Sequence, residues 1–237
     1  MLKHILTIAI RSIKKHKSSF AINLTGLSTG LAFAFLLYLW VQDEKSIDKF
    51  HVNDSRLYQV MEKSTENGII RIQDGTQGPL SEALEKDLPE VENAVTVMNL
   101  SKEGMDITMK NGERSFKTGG IFSGEAFFTA FTFPLIAGDA ATVLKEKNNI
   151  AISENLARKL YGSAEAALGK ALEWGAFGKS HLSAVAGVFK DVSTHSTLHF
   201  DFVLTKQKLL EDVWQNGQKW WNTGPDTYPV LDRKSVV

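Results

Sequence analysis

Four kinds of residue in this chain could do chemistry: histidines, serines, carboxylates, and one glycine and lysine run. His195 and His199 in "HSTLHF" are four residues apart, the spacing that puts two imidazoles on one face of a helix as zinc ligands. Their β-branched and aromatic neighbours favour a loop running into a strand instead, and no Glu stands in the interior position that a metallohydrolase helix needs. His51 and His181 are isolated and read as surface or half-buried residues. "GSAEAALGKA" from Gly162 is the nearest approach to a phosphate loop. Six residues separate its glycines where a Walker A loop needs four, and Ala171 stands where a hydroxyl must meet magnesium. A helix C-terminus turning into a strand accounts for every residue of that run. No serine has a context that singles it out as a nucleophile, and the carboxylates are scattered. There is no cysteine, which excludes disulfides and thiolate metal sites. The residues therefore predict no catalytic, cofactor-binding or metal site. Trp214, Trp220, Trp221 and Tyr228 gather late in the chain; they could line a ligand cleft or a partner surface, but a domain core is the favoured reading.

The elements that would position such residues begin with a long apolar run. From Ser18 to Gln42, about 25 residues, no side chain is charged, against the roughly 20 that a helix needs to span a bilayer. A secretory signal would have a shorter apolar centre and a small-residue cleavage site, so the run reads as an uncleaved transmembrane helix over 18–42. Asn23, Thr25, Gly26, Ser28, Thr29 and Gly30 suit packing against other helices. Lys3, Arg11, Lys14, Lys15 and Lys17 precede it and Asp43 and Glu44 follow, which predicts a cytoplasmic N-terminus and an external domain over 43–237. Leu2, Ile5, Leu6, Ala9, Ile10 and Ile13 recur at helical spacing, so residues 1–17 read as a basic amphipathic helix on the inner surface of the lipid bilayer, with a merely basic leader as the alternative.

Setting aside the five basic residues before the run leaves 22 basic against 27 acidic, a balance that disfavours a nucleic-acid partner. The remaining residues can build one sizeable domain or two small ones. They alternate between strand and helix patterns. "RLYQVMEKS-ENG-IIRIQ" reads as a hairpin turning at Gly68. "GPLSEALEKDLPE" reads as a helix with Leu80, Ala83, Leu84 and Leu88 inward, and "VENAVTVMNL" as a strand. "MDITMK-NG-ERSFK" reads as a hairpin with Asn111-Gly112 in a type I′ turn. "SGEAFFTAF" follows as a short helix and "FPLIAGD" as a turn-rich connection. "NNIAISENLARKLYG" reads as a strand feeding a helix, with Ser153 as N-cap, Leu156, Ala157 and Leu160 inward and Gly162 at C′. "LSAVAGVFKDV" and "LHFDFVLT" are two further strands. The expected class is mixed α/β (α+β).

In this order, "LKHILTIAIRSIKKHKSSFAINLTGLSTGLAFAFLLYLWVQDE", "SIDKFHVNDSRLYQV", "GPLSEALEKDLPEVENAV", "FFTAFTFPLIAGDAATVLKEKNNIAISENLARKLYG" and "VAGVFKDVSTHSTLHFDFVLT" resemble the N-terminal part of MacB-like, FtsX-related ABC transporter permeases of the Bacteroidota type. The resemblance implies a bacterial inner-membrane permease subunit, its periplasmic core domain built as two subdomains. It also implies a separate cytoplasmic ABC ATPase, a second permease half or homodimer, and a periplasmic adaptor or outer-membrane component as candidate partners. The implied work is mechanical: coupling ATP hydrolysis to movement of the periplasmic domain in export or mechanotransmission, with no catalytic residue of its own. Such permeases carry further transmembrane helices, so the chain reads as a truncated piece, and "TYPVLDRKSVV" departs from the pattern, so 230–237 reads as aberrant. The alternatives are a single-span anchored protein that binds a periplasmic ligand or partner and, without a visible active site, an anchored enzyme.

Overall fold

The computed structural model describes residues 2–235 apart from 103 and 177, without the side chains of 2, 3, 6, 9 and 10. The chain divides into two compact units, Met1–Ile47 and Asp48–Val237.

The first unit holds α1 (Leu2–Lys15) and α2 (Lys17–Ser46), interrupted at His16. α2 carries the uncharged run and continues beyond it through Asp43, Glu44, Lys45 and Ser46. None of its side chains is buried, and by length and composition it can cross a membrane. Thr25 and Thr29 donate their hydroxyls to the carbonyls of Ala21 (2.8 Å) and Thr25 (2.7 Å), so these polar groups are satisfied within the helix, as an apolar environment requires. Of the amphipathic face expected on α1, Ile5 and Ile13 are exposed, while the side chains of Leu2, Lys3, Leu6, Ala9 and Ile10 lie outside the described residues.

The second unit contains, in order, β1 (Glu62–Glu66), β2 (Ile69–Gln73), α3 (Leu80–Asp87), β3 (Val91–Asn99), β4 (Ile107–Asn111), β5 (Arg114–Thr118), β6 (Ile121–Ser123), α4 (Phe127–Ala130), β7 (Leu135–Ala137), β8 (Asn149–Ser153), α5 (Glu154–Tyr161), α6 (Ala164–Ala167), β9 (Ala171–Ala176), β10 (Lys179–Phe189), β11 (Phe202–Thr205), α7 (Lys206–Lys208) and β12 (Asp226–Leu231). β1 and β2 form a separate two-stranded sheet. The others form one ten-stranded sheet in the order β12-β3-β6-β11-β8-β10-β9-β4-β5, with β7 also paired to β10. The pairs β8/β10 and β6/β11 are parallel and the rest antiparallel.

Because successive side chains of a strand point to opposite faces, the central strands feed two cores. Ile150, Ile152, Phe202 and Leu204 join Trp174, Leu156 and Leu160 on one face. Ala151 and Val203 join Phe127, Phe131, Phe133 and Phe200 on the other. The two expected subdomains are thus two cores on either side of one continuous sheet, and residues after Asp48 form a single compact unit.

The strand-to-helix reading at 149–162 agrees in detail: Ser153 Oγ accepts from Leu156 N at 3.1 Å, and Leu156, Ala157 and Leu160 are buried. Other readings need correction. The first hairpin starts at Glu62 rather than Arg56, because residues 57–60 pair instead with β12. Asn67 and Gly68 both have positive φ (52° and 79°), as a type I′ turn requires. At the second hairpin Asn111 pairs with Arg114, so the turn is Gly112-Glu113, with only Gly112 at positive φ. Asn111 Nδ2 donates instead to the Leu160 carbonyl (2.9 Å) at the end of α5. "FPLIAGD" contains β7, and the run from Gly162 turns at its end into β9. In α3 the buried residue is Ser81 while Leu88 is exposed. β12 runs past Pro229 through Val230, which is 2% exposed, to Leu231.

Candidate functional site

Residues 48–60, which follow the apolar helix in sequence, form an irregular segment fastened to the domain at several points. Asp48 takes a positive φ of 59°. That turn lets its amide donate to the His195 carbonyl (2.8 Å) and its carboxylate accept from Thr197 N (3.0 Å) and Oγ1 (2.6 Å). Three residues on, His51 is 6% exposed and lies among the rings of Phe50, Phe131 and Phe133. Its Nδ1 accepts from Thr132 N at 3.0 Å, and its Nε2 lies 4.0 Å from the Asp48 carboxylate. Burial pushes this imidazole below the ordinary histidine value, partly offset by Asp48 and Asp54.

Asn53 Nδ2 then donates to the carbonyls of Thr129 and Ala130 (3.2 and 3.0 Å), groups that the short α4 leaves without partners of its own. Arg56 spreads its guanidinium over Glu92 (2.6 Å), the Leu231 carbonyl (2.9 Å) and Asn53 Oδ1 (2.7 Å). Beyond it the backbone joins β12: Leu57 bridges Val230, Tyr58 N donates to Pro229 O and Val60 N to Thr227 O. The lead-in segment is therefore bonded to the 195–197 loop, the 129–132 turn and the last strand.

The same register orients the domain. Passing from Leu57 to Val60 to Thr76, the partners on the other side move from Val230 to Thr227 to Pro225, so the β1–β2 hairpin emerges at the end remote from Asp48. There Ile69, Ile70 and Ile72 are exposed, as are Trp220 and, at 77%, Trp221. The hairpin base is tied by Thr76 Oγ1 to Thr227 Oγ1 (2.7 Å) and by Lys102, which pairs with Asp74 and Asp226.

A third polar feature is a cleft of about 250 Å³ lined by Glu82, Ser123, Glu125, Lys145, Lys206 and Glu211. Its buried lysine is fully engaged: Lys206 Nζ bonds Glu82 (2.6 Å), Ser81 (3.1 Å) and Thr96 (3.1 Å). Burial alone would raise the Glu82 carboxyl, but the ammonium beside it holds it below the usual range. The cluster fastens α3 and β3 to the start of α7.

The chemical candidates scatter. His195 and His199 lie in the irregular segment before β11, not on a helical face. His51 is buried rather than superficial, and His181 is half-buried and stacked on Trp174 (4.4 Å). The run from Gly162 contains the short α6, capped by Ser163 Oγ, before β9. Gly26 to Gly30 spells G-x-S-x-G, the nucleophile-elbow pattern, but Ser28 sits mid-helix in α2 rather than on a strand-to-helix turn. Among the described residues no group of three or more His, Asp or Glu could hold a metal. Of the late aromatics, Trp214 and Tyr228 pack against the cores, whereas Trp220 and Trp221 are exposed. No local spacing singles out Asp48, Asn53 and Arg56 as fastening residues, although their segment carries part of the family resemblance.

A family model described as the MacB-like periplasmic core domain matches residues 20–226. The chain belongs to that family. Among solved structures, a domain assigned to a permease protein from Porphyromonas gingivalis is 22% identical, with a TM-score of 0.62 over 77% of this chain and 78% of that one. The periplasmic region of MacB from Actinobacillus actinomycetemcomitans is 12% identical (TM-score 0.52, covering 80% and 78%). The extracellular domain of the noncanonic ABC-type transporter YknZ from Gram-positive bacteria is 14% identical (TM-score 0.52, covering 74% and 83%). At these identities the likenesses establish the fold. No curated relative matches the chain.

Proposed function

We propose that this chain is a permease subunit of an ABC-type export or mechanotransmission system, in which the periplasmic domain is a transmitter of movement and not an enzyme. α2 anchors it in the inner membrane, with the basic α1 and the N-terminus cytoplasmic. A separate cytoplasmic ATPase supplies the energy, and a second permease half or a second copy completes the membrane part. The observation that carries the reading is the three-way bonding of residues 48–60: a helix movement delivered at Asp48 reaches the sheet without slack. The exposed β1–β2 isoleucines and the Trp220-Trp221 pair at the remote end are where a periplasmic adaptor, an outer-membrane component or the exported substrate would be met.

The test is isolation of the full chain from its native membrane, followed by measurement of ATP hydrolysis in the purified complex. Co-isolation with an ATP-hydrolysing subunit, with hydrolysis uncoupled from export by Arg56→Ala, is the expected result. A chain that isolates without any nucleotide-binding partner would abandon the transport reading for a single-span, membrane-anchored periplasmic ligand- or partner-binding protein, a role that the same exposed end would serve.

A further inference from the structure

We propose that His51 is an acid-sensitive latch: protonating its imidazole frees residues 48–54 from the domain while the sheet stays folded. The latch is a matter of hydrogen-bond direction. Nδ1 of the neutral ring accepts from Thr132 N at 3.0 Å. A proton on Nδ1 turns that acceptor into a donor facing a donor, and the bond cannot survive. The neighbouring bond, from Val52 N to Thr132 Oγ1 (2.9 Å), holds the same turn, so the two are lost together. The phenyl rings of Phe50, Phe131 and Phe133 packed against the imidazole offer no replacement for the lost partner.

The groups facing the ring come from each element around it. The lead-in segment brings Asp48, 4.0 Å away, and Asp54, itself paired to Lys49 at 2.7 Å. The 191–201 segment brings His195, whose carbonyl accepts from Asp48 N, and Thr197, which is bonded to Asp48. β12 brings Tyr228, lining the same 300 Å³ hollow, whose phenol burial keeps protonated. The 129–133 turn brings no titratable side chain. The two carboxylates favour the imidazolium and burial opposes it. Burial is the larger effect, so the closed segment holds the ring neutral at a pH where a freed one would be charged.

The sign follows from linkage. A released His51 titrates near 6.5, and the closed one below that value. Between the two the open state binds more protons, so closure weakens as pH falls below about 6.5 and levels off below the closed-state pKa. Opening would lengthen the connection between α2 and the sheet. Its effect on transport rests on the permease reading, but the opening itself does not.

The experiment is hydrogen exchange on the full chain in detergent or nanodiscs, comparing pH 7.5 with pH 5.5 after correction for intrinsic rates. Peptides covering 48–56 and 128–133 should lose protection on acidification, by up to about tenfold per pH unit within the window, while β8 and β11 keep theirs. His51→Asn places a non-titrating acceptor near Nδ1 and should abolish the loss. Wild-type protection that is flat across this range would overturn the latch. Should His51→Asn open the segment at both pH values, Asp48→Asn decides. It retains an acceptor for Thr197 and suits the positive φ, yet removes a charge that favours the imidazolium in the closed state, so the loss of protection should still begin near pH 6.5 but continue to lower pH before it levels off; a lower limit that stays in place would refute the proposal. ATP hydrolysis is not part of this measurement, so a missing ATPase partner and a missing latch are separate results.

Discussion

At one end of the domain the chain is held by side chains that each make two or three bonds to different elements; at the other a hairpin of five-residue strands shows three isoleucines and no buried residue. Arg56 reaches β3, β12 and Asn53 at the first end, while Trp221 at the second is largely exposed, with the Lys219 ammonium 5.6 Å above its ring. On the proposed function, the two ends serve different demands. Redundant hydrogen bonds resist displacement, as a transmitter of movement needs. Exposed apolar and aromatic side chains gain free energy only when a partner covers them, as a recognition surface needs.

Substitutions can break or sharpen that contrast. The largest effect is expected beside the lead-in segment: Phe133→Ala empties a site contacted by Phe50, His51, Phe127 and Phe200 and should cost about 3–5 kcal/mol, read as a lowered denaturant midpoint. Arg56→Ala removes three bonds at a largely buried guanidinium and should cost about 1–3 kcal/mol. Proteolysis should then cut within 48–60 before any strand of the sheet; simultaneous loss of both would show that the segment carries no separate mechanical role. At the remote end Gly68→Ala forces a Cβ into a backbone at φ 79° and should cost about 1 kcal/mol. Hydrogen exchange should locate that loss in β1 and β2 alone. Smallest of all, Trp221→Ala should change thermal stability by no more than about 0.5 kcal/mol yet reduce co-isolation of a periplasmic partner. A large loss of stability there would mean that the residue belongs to the core after all.

Several features were legible because they are local. The uncharged run from Ser18 to Gln42 and its flanking charges, the Ser153 cap with Leu156, Ala157 and Leu160, and the positive φ at Gly68 each depend on residues within a few positions of one another. The Asn-Gly pairs at the two hairpins mark where locality ends. Asn67-Gly68 forms the expected turn, but Asn111 is drawn into pairing with Arg114 and into a bond with the Leu160 carbonyl, a partner 49 positions away. Arg56 to Met61 has the composition of a strand and runs beside β12, but it does not extend the hairpin, because Pro229 and Thr227 offer it carbonyls from the far end of the chain.

What the sequence by itself determined is the class of molecule: an apolar helix of spanning length, a basic leader, a mixed α/β domain and the order of segments that marks its family. Charge, hydropathy and turn chemistry act over a few residues and survive without a fold. Only the tertiary structure decided that His51 is buried, that Lys206 is enclosed by Glu82, Ser81 and Thr96, and that residues 48–60 and 226–231 are fastened together. Those outcomes are long-range. They depend on which donors and acceptors the sheet brings to one place and on which side chains it seals from water, and no spacing along the chain encodes either.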